Sequence, residues 1–368
     1  MFMGRFALVL VLLTACSTAA APRAAVSTPS HIAVSPRPSP TPPRSQYLAV
    51  VGGPKLSSVS LVASDGTVVA TTAVDLGSIQ LNTAMSWTSA SRTRLYYLNA
   101  GSEVRYLAPD GATGTVTRIT LGATEQAGFA VSPDDKRIAV AVFSYTSLPE
   151  AAYKGMRLYV EDLNGGGNHV DIFSSTTVAE FPIAWTSGRL ILALSEPRCC
   201  RTITGNPYDA SAYHVVDPDT GSRLASLCEN SAGPEGPIEP IGAICYHPNA
   251  TPAYQRWDGS PFDAPAAVPN PSAFLNALSP DGTRVAVGQG EGQIWIWGPR
   301  GSGDWLNAAG YVFGWLDQEY IVISNNATSL STIDVVANAT TGRLWTVRAT
   351  AEISSFGVYL GTFPAAVT

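Results

Sequence analysis

The chain has 368 residues, a length that allows one large domain or two to three ordinary ones. Charged residues make up 14% of it, against about 25% in an average soluble domain, and 45% are hydrophobic. This composition excludes a disordered chain, a coiled coil and a nucleic-acid-binding protein of the basic type.

Residues 1–15 have the layout of a secretory signal peptide. Arg5 precedes the apolar run Phe6–Leu13, and small residues then lead to Cys16. A membrane-spanning helix needs about 20 apolar residues, so this run is too short to be one. The residues Leu13-Thr14-Ala15-Cys16 resemble the lipobox of bacterial lipoproteins. The resemblance implies that Cys16 becomes the lipid-bearing first residue of the mature protein; an ordinary signal peptide with a chance cysteine is the alternative.

The polar segment that follows, residues 16–45, is predicted to be a tether. Of the 29 residues after Cys16, seven are proline, 15 are serine, threonine or alanine, and none is acidic. Proline restricts the backbone and the small residues bury little surface, so we expect an extended segment without a core. At about 3.1 Å per residue it reaches roughly 90 Å from the anchor.

The rest of the chain, from residue 46 onward, is acidic. It carries 18 basic and 28 acidic residues, a net charge of −10. Nucleic acids and anionic membrane surfaces repel a domain of this sign. We therefore expect a body that binds no nucleic acid. The predicted signal peptide indicates that this body is exported and faces outside the cytoplasm. The lipid on Cys16 would anchor it to the bacterial cell membrane or outer envelope.

Two nine-residue segments of the body repeat. Ser132–Val140 has the sequence Ser-Pro-Asp-Asp-Lys-Arg-Ile-Ala-Val, and Ser279–Val287 has the sequence Ser-Pro-Asp-Gly-Thr-Arg-Val-Ala-Val. In weaker copies a tryptophan precedes the polar turn, as at Trp87, Trp185 and Trp315. Proline and glycine favour tight turns, so each copy predicts a strand, a turn and a second strand.

Alternating segments follow the second strand of several units. Gln293–Trp297, Met156–Val160 and Glu103–Leu107 have the period of two that half-buried strands show. Repeated units of four short antiparallel strands predict an all-β fold, a β-propeller. The Ser-Pro-Asp-Gly segment followed by Arg-Val-Ala-Val resembles the repeats of the TolB-like and WD40-like bacterial propellers, and the resemblance covers residues 46–364.

The predicted propeller has six blades, with seven as the alternative. The six comprise 47–75 with 353–360, 81–120, 126–174, 181–228, 273–309 and 311–349. Residues 229–272 contain nine prolines and are either an insertion or a degenerate seventh blade. Tyr47–Val51 has no first strand before it, and residues 353–360 are a strand left over at the other end. We expect these N- and C-terminal strands to pair and close the ring, because an open ring would leave strand edges exposed.

Four cysteines lie in the body: Cys199, Cys200, Cys228 and Cys245. An even number in an exported domain indicates disulfides. The Cα atoms of adjacent residues are about 3.8 Å apart, below the usual disulfide minimum of about 4.4 Å. We therefore expect Cys199 and Cys200 each to pair with Cys228 or Cys245, which leaves two connectivities open.

Few residues of the body indicate catalysis. No Gly-x-Ser-x-Gly segment marks a nucleophile elbow. Gly288, Gly290 and Gly292 lie between two predicted strands, where no helix follows to bind phosphate, so they indicate a hairpin loop. A metal site of the cysteines with His214 or His247, copper included, is the less favoured interpretation, because no Cys-x-x-Cys spacing exists. We expect no cofactor.

Three functions are compatible with this sequence. The favoured one is a non-catalytic, lipid-anchored scaffold that binds another envelope protein or a peptide through its loops. The alternatives are an enzyme with a site at the propeller centre, such as a quinoprotein-like dehydrogenase or a metal-dependent lactonase, and a binder of a small molecule or glycan in the axial funnel. We expect the segments 195–210 and 229–272 to contact the partner.

Replacing the predicted lipidation site tests the anchor. We expect Cys16→Ser to release the protein from the membrane fraction, because the thiol that carries the lipid is lost. Detergent phase partitioning measures the change, and Ser17→Ala is the matched control that keeps the thiol. A Cys16→Ser variant that partitions into the detergent phase as the unaltered chain does would contradict the lipobox prediction.

Overall fold

The computed structural model describes the body of the chain but not its N-terminal segment. The described residues are 47–52, 57–63, 67–75, 87–100, 102–146, 152–195, 210–229, 231, 233–247, 252–263, 276–288, 290–298, 303–324, 335–340, 344–346 and 359–362. The predicted signal peptide, Cys16, the tether, Cys199 and Cys200 lie outside them.

The described residues form 26 β-strands in six sheets and no helix. The first sheet contains β1 (Tyr47–Gly52), β2 (Ser58–Ala63), β3 (Val68–Ala73) and β26 (Tyr359–Thr362). The second contains β4 (Thr88–Ala90), β5 (Leu95–Asn99), β6 (Glu103–Leu107) and β7 (Thr113–Arg118). The third contains β8 (Glu125–Val131), β9 (Arg137–Tyr145), β10 (Tyr153–Asp162) and β11 (Val170–Ser175).

Three further sheets follow along the chain. The fourth contains β12 (Ala179–Thr186), β13 (Arg189–Ser195), β14 (Ala212–Val216) and β15 (Arg223–Leu227). The fifth contains β16 (Pro234–Glu239), β17 (Gly242–Cys245) and β18 (Ala253–Arg256). The sixth contains β19 (Asn276–Leu278), β20 (Val285–Gly288), β21 (Gly290–Trp297), β22 (Gly303–Trp315), β23 (Tyr320–Ser324), β24 (Val335–Asn338) and β25 (Leu344–Thr346).

The order of the strands within the sheets is that of a β-propeller. In the second to fifth sheets, neighbours in the sheet are neighbours in the chain, and every pair is antiparallel. The long strand β22 belongs to two successive units of the sixth sheet, β19–β22 and β22–β25. Successive four-stranded meanders are the building unit of propellers, so the all-β propeller predicted from the sequence is confirmed. Among the described residues, no helix is long and apolar enough to cross a membrane.

Burial decreases from the second strand of a sheet to the fourth. All four residues of Leu95–Leu98 in β5 are buried, without alternation. In β7, the fourth strand of the same sheet, every residue is exposed or half-buried. A strand covered on both faces forms a continuous apolar run, whereas an outer strand does not. The sequence therefore shows its clearest apolar segments at second-strand positions.

The repeated Ser-Pro-Asp segments form the same turn in two units. The Ser132 hydroxyl donates to Asp134 Oδ1 at 2.7 Å and accepts the N–H of Arg137 at 2.9 Å. The second copy repeats both bonds, from Ser279 to Asp281 at 2.7 Å and from the N–H of Arg284 to Ser279 at 2.9 Å. The fourth position of the turn has a positive φ in both copies, 61° at Asp135 and 74° at Gly282. Glycine and aspartate both tolerate this conformation.

Tryptophan side chains connect successive units. The indole N–H of Trp315 donates to the carbonyl of Ala277 at 2.8 Å, between the first strands of the two units of the sixth sheet. Trp185 on β12 donates in the same way to Ala130 on β8, at 3.1 Å. Both bonds satisfy a backbone acceptor with the side chain of the next unit. The tryptophan that precedes the turn therefore has a packing role in these two units.

Residues 234–256 are part of the core and not a peripheral loop. Ile244 and Tyr254 of the fifth sheet are buried against Leu278, Val285 and Val287 of the sixth. This proline-rich segment forms three strands and not a loop. Its apolar residues lie at the positions where the strands of a blade would bury them. The number of blades stays a prediction, and this sheet favours the degenerate seventh blade over the insertion.

The terminal strands pair as the sequence predicts. β26 is antiparallel to β1, with Leu48 opposite Thr362 and Val50 opposite Tyr359. The strand is Tyr359–Thr362, later than the predicted 353–360, and residues 353–358 lie outside the described residues. β1 thereby gains a neighbour on the edge that β2 leaves open. Closure of the whole ring stays a prediction.

Removing one indole N–H tests the contact between units. We expect Trp315→Phe to lower the free energy of unfolding by about 1–3 kcal/mol, because the carbonyl of Ala277 is left buried without its donor. Trp185→Phe should cost less, since its bond is only partly buried. Urea unfolding of the two variants and of the unaltered protein measures both values. Equal stability of all three proteins would contradict the role of the indole bonds.

Candidate partner-binding face

Each sheet has two ends that carry different connections. At the turn end, the first strand leads to the second and the third leads to the fourth. At the loop end, the second strand leads to the third and the fourth leads to the next sheet. Neighbouring sheets place their turn ends together: the N–H of Arg92 donates to Pro133 O at 3.2 Å, and the Thr186 hydroxyl donates to Pro240 O at 3.5 Å. The stacked sheets therefore share a turn face and a loop face.

The chain enters the first sheet at its turn end, because β26 takes the place of the first strand in this sheet and β1 that of the second. Gly52 of β1 lies opposite Ser58, at the end of the sheet from which β3 continues to Asp75. Asp75 accepts the N–H of Ala100 with its carbonyl at 2.6 Å and donates its own N–H to Asn99 Oδ1 at 2.9 Å. Asn99 and Ala100 connect β5 to β6, at the loop end of the second sheet. Tyr47, at the other end of β1, therefore lies on the turn face.

A disulfide joins the fourth and fifth sheets on the loop face. Cys228 directly follows β15, Cys245 ends β17, and their Cα atoms are 5.0 Å apart. The backbone at Cys228 has a φ of 66°, and its N–H donates to Gln255 Oε1 at 2.9 Å. The Ser231 hydroxyl donates to the carbonyl of Cys228 at 2.7 Å. The turn after β15 is thus held by one covalent bond and two hydrogen bonds.

The expected cysteine connectivity is wrong. Cys228 and Cys245 pair with each other, so neither is available to Cys199 or Cys200. The short distance between Cys199 and Cys200 excludes a bridge between them but does not decide their partners. Cys228 and Cys245 pair because the end of β15 and the end of β17 meet at the boundary of two sheets. Cys199 and Cys200 lie outside the described residues, in the predicted contact segment 195–210.

A buried cluster of ionisable side chains lies in the fourth sheet. Glu180 on β12 and His214 on β14 are each 3% exposed. Glu180 Oε1 lies 3.0 Å from His214 Nδ1 and 3.1 Å from Nη2 of Arg223, and Glu229 Oε1 lies 3.5 Å from His214 Nε2. The imidazole nitrogens are at ion-pair distance but not in hydrogen-bond geometry. Since a buried carboxylate without a partner is costly, Arg223 stabilises Glu180.

The cluster reaches the loop face through Glu229, which follows β15. The side chains of Arg223 and Glu229 are about half exposed, at 47% and 51%, whereas Glu180 and His214 are enclosed. The two carboxylates contact opposite nitrogens of one imidazole, so they do not converge on a common point as metal ligands do. Within the described ranges, no group of three or more histidine, cysteine or acidic side chains is arranged to hold a metal ion.

His169 lies near the turn end of the third sheet, between two carboxylates. Its Nδ1 is 3.3 Å from Glu161 Oε2, its Nε2 is 3.2 Å from Asp171 Oδ1, and its ring stacks on Tyr159 with centroids 4.8 Å apart. Burial acts to lower the pKa of His169, but the two carboxylates outweigh it and raise that pKa above its usual value. Burial also raises the pKa of Tyr159 to about 12. The imidazole thus connects Glu161 on β10 to Asp171 on β11.

The acidic residues of the turn face are engaged in the fold. Asp135 Oδ1 accepts the Tyr96 hydroxyl of the second sheet at 2.8 Å. Burial acts to raise the pKa of Asp281, but hydrogen bonds from Thr283 and Ser279 outweigh it and lower that pKa. Burial is the main cause that raises the pKa of Asp317. These carboxylates act as acceptors within and between turns.

Comparisons with known proteins give distant structural similarity. No protein-family model matches the chain, and no curated protein matches it. BamB from Moraxella catarrhalis is 11% identical over 76% of this chain and 78% of its own, with a TM-score of 0.39. An oligogalacturonate lyase from Vibrio parahaemolyticus is 8% identical over 74% and 80%, with a TM-score of 0.47. Sqt1 from Saccharomyces cerevisiae is 12% identical over 81% and 86%, with a TM-score of 0.41. Similarities this distant assign no activity to the chain.

Peptide mapping without reduction tests the disulfide. Trypsin cuts after Arg198 and Arg201 and isolates Cys199 with Cys200, while a glutamate-specific protease cuts after Glu229 and Glu235, between Cys228 and Cys245. We expect a linked pair of peptides that contain Cys228 and Cys245. Joint replacement of these two cysteines by alanine should lower the free energy of unfolding by about 3 kcal/mol, since the closed loop spans 17 residues. A link from either to the Cys199–Cys200 peptide would contradict this pairing.

Proposed function

We propose that the chain is a lipid-anchored, extracytoplasmic propeller that acts as a non-catalytic scaffold in the bacterial cell envelope. The lipid on Cys16 and the proline-rich tether hold the body near a membrane, and its loop face binds another envelope protein or a peptide. The observation that carries the proposal is the opposite placement of two features. The chain enters the first sheet on the turn face, whereas the disulfide between Cys228 and Cys245 lies on the loop face.

This placement gives the two faces different tasks. A tether that joins the turn face leaves the loop face unobstructed by its own chain. Rigid sheets that present loops at one end are the usual way in which a scaffold positions a binding surface. The disulfide and the hydrogen bond from Cys228 to Gln255 fix the loop that follows β15 before any partner arrives. A preformed loop loses less conformational entropy on binding.

Three carboxylates with contacts inside the fold also support binding over turnover. Asp134 accepts the Ser132 hydroxyl, Asp135 accepts the Tyr96 hydroxyl, and Glu180 contacts both His214 and Arg223. Each carboxylate is held by contacts that stabilise a turn or a sheet. A general base, in contrast, must be within reach of a substrate proton.

The segment 229–272 cannot be exchanged for a flexible linker in a test of this proposal. Its strands β16–β18 contribute buried residues such as Ile244 and Tyr254 to the core, so their removal would unfold the neighbouring sheets. Single positions on the two faces are the appropriate probes. Glu229 is an exposed position and Tyr246 a half-buried one on the loop face, and Asn164 and Thr220 are exposed positions on the turn face.

Site-specific photocrosslinking in cells tests the assignment of the faces. A photoreactive amino acid at position 229 or 246 should give adducts of defined mass with a partner, because these positions contact it. The same amino acid at position 164 or 220 should give none, and these two variants are the matched controls. Adducts from the turn face alone, or none from any position at normal expression, would contradict the proposal. Turnover of a substrate by the purified protein would favour the enzyme alternative.

A further inference from the structure

The outermost strand of the first sheet, β3, exposes apolar side chains. Val68 is 44% exposed and Val69 is 37% exposed. In the part of the chain that the structure describes, the exposed large apolar side chains are these two and Leu224 on β15. β3 is the last strand in the order β26-β1-β2-β3, so one of its edges has no strand beside it.

β3 carries no charged residue, and neither does β25, the outermost strand of the sixth sheet, but the outermost strands of the second to fifth sheets differ from them. Each of the others in the second to fifth sheets contains an ionised residue, and these are Arg118 on β7, Asp171 on β11, Arg223 on β15 and Arg256 on β18. Charged side chains on an edge strand prevent the pairing of a further strand. β3 has the sequence Val-Val-Ala-Thr-Thr-Ala and carries none.

The backbone of β3 is suited to a further strand over most of its length. Its register against β2 is regular from Ala70 to Ala73, opposite Leu61 to Ser58, and the single irregularity lies at Val69. In an antiparallel strand, alternate residues direct their N–H and C=O groups away from the paired neighbour. No backbone hydrogen bond connects Val68–Ala73 to any other described residue except those of β2.

We propose that β3 is a docking edge that accepts an extended segment of another protein as an added antiparallel strand. Main-chain hydrogen bonds would supply the affinity, as in other β-augmentation complexes. The segment would be uncharged and rich in β-branched residues where it pairs with β3, since Val68, Val69 and Thr71 present that surface. This site is separate from the loop face and does not depend on it.

Charge determines which occupant fits. Asp65 and Asp75 flank β3 in the sequence, and the body carries a net charge of −10. A second copy paired antiparallel would bring the acidic flanks of the two strands together, which is unfavourable. A segment with a lysine or arginine on each side of its apolar part would instead complement both flanks. The occupant is therefore a strand of a different protein with basic flanks.

A labelled peptide of alternating threonine and valine with a lysine at each end tests the proposal. It is titrated with the purified full-length chain in detergent, and fluorescence anisotropy reports binding. We expect saturable binding that Val69→Lys and Thr71→Lys each weaken about ten-fold, because a lysine on the edge repels the basic flanks and blocks pairing. Thr115→Lys, at an exposed position of β7, is the matched control and should leave the Kd unchanged.

Further controls separate the strand edge from other surfaces. A peptide of the same charge with a central proline lacks a needed N–H and should not bind. Thermal unfolding shows whether each variant is folded. If Val69→Lys does not fold, Thr71→Lys still tests the strand edge. Equal binding of the peptide to all variants, or no binding at millimolar protein, would overturn the proposal. Dimerisation that Val69→Lys abolishes, measured by sedimentation, would also overturn it, because a second copy would then occupy the edge.

Discussion

Contacts at the turn ends of neighbouring sheets are the interaction on which the rest of this structure depends. In both Ser-Pro-Asp turns a serine hydroxyl accepts the N–H of the arginine five residues later and fixes the start of the second strand. That arginine then reaches the next unit: Arg137 donates to Pro218 O at 3.5 Å, and Arg284 lies 4.9 Å from the ring of Trp315. Each turn thus fixes the start of its second strand and also contacts the next unit.

The consequence is an asymmetry between the two faces. The turn face is held by repeated hydrogen bonds that use short, similar segments of chain. The loop face carries connections of unequal length, and between the fourth and fifth sheets it is held by a disulfide. The contacts of the repeated turns lie on the turn face, so loops at the other end can vary without loss of those contacts, and this is why we propose the loop face for recognition.

The sequence predicts those parts of the fold whose signal is local. The Ser132 and Ser279 repeats contain the turn residues, the tryptophan before the turn and the apolar second strand, so strand order and the all-β propeller follow from them. The pairing of β1 with β26 follows from counting strands at the two termini. These inferences need no knowledge of what lies far away in the chain.

The features that the sequence did not predict depend on distant contacts. Cys228 and Cys245 pair because the ends of β15 and β17 meet, and no spacing rule for cysteines contains that geometry. The prolines of 229–272 obscured three strands whose buried residues, among them Ile244, pack against the sixth sheet. The sequence likewise does not show that the buried His214 lies beside Glu180, which is on a different strand.

Amide hydrogen exchange at Arg137 and Arg284 tests the central claim most directly. Both N–H groups donate to a serine hydroxyl at 2.9 Å within a turn, where an unbonded amide would exchange quickly. The account predicts exchange as slow as in the adjoining strands β9 and β20, and fast exchange at Arg284 after Ser279→Ala. Exchange at the rate of an unstructured peptide in the unaltered protein would contradict it, because the turns would then not hold the sheets.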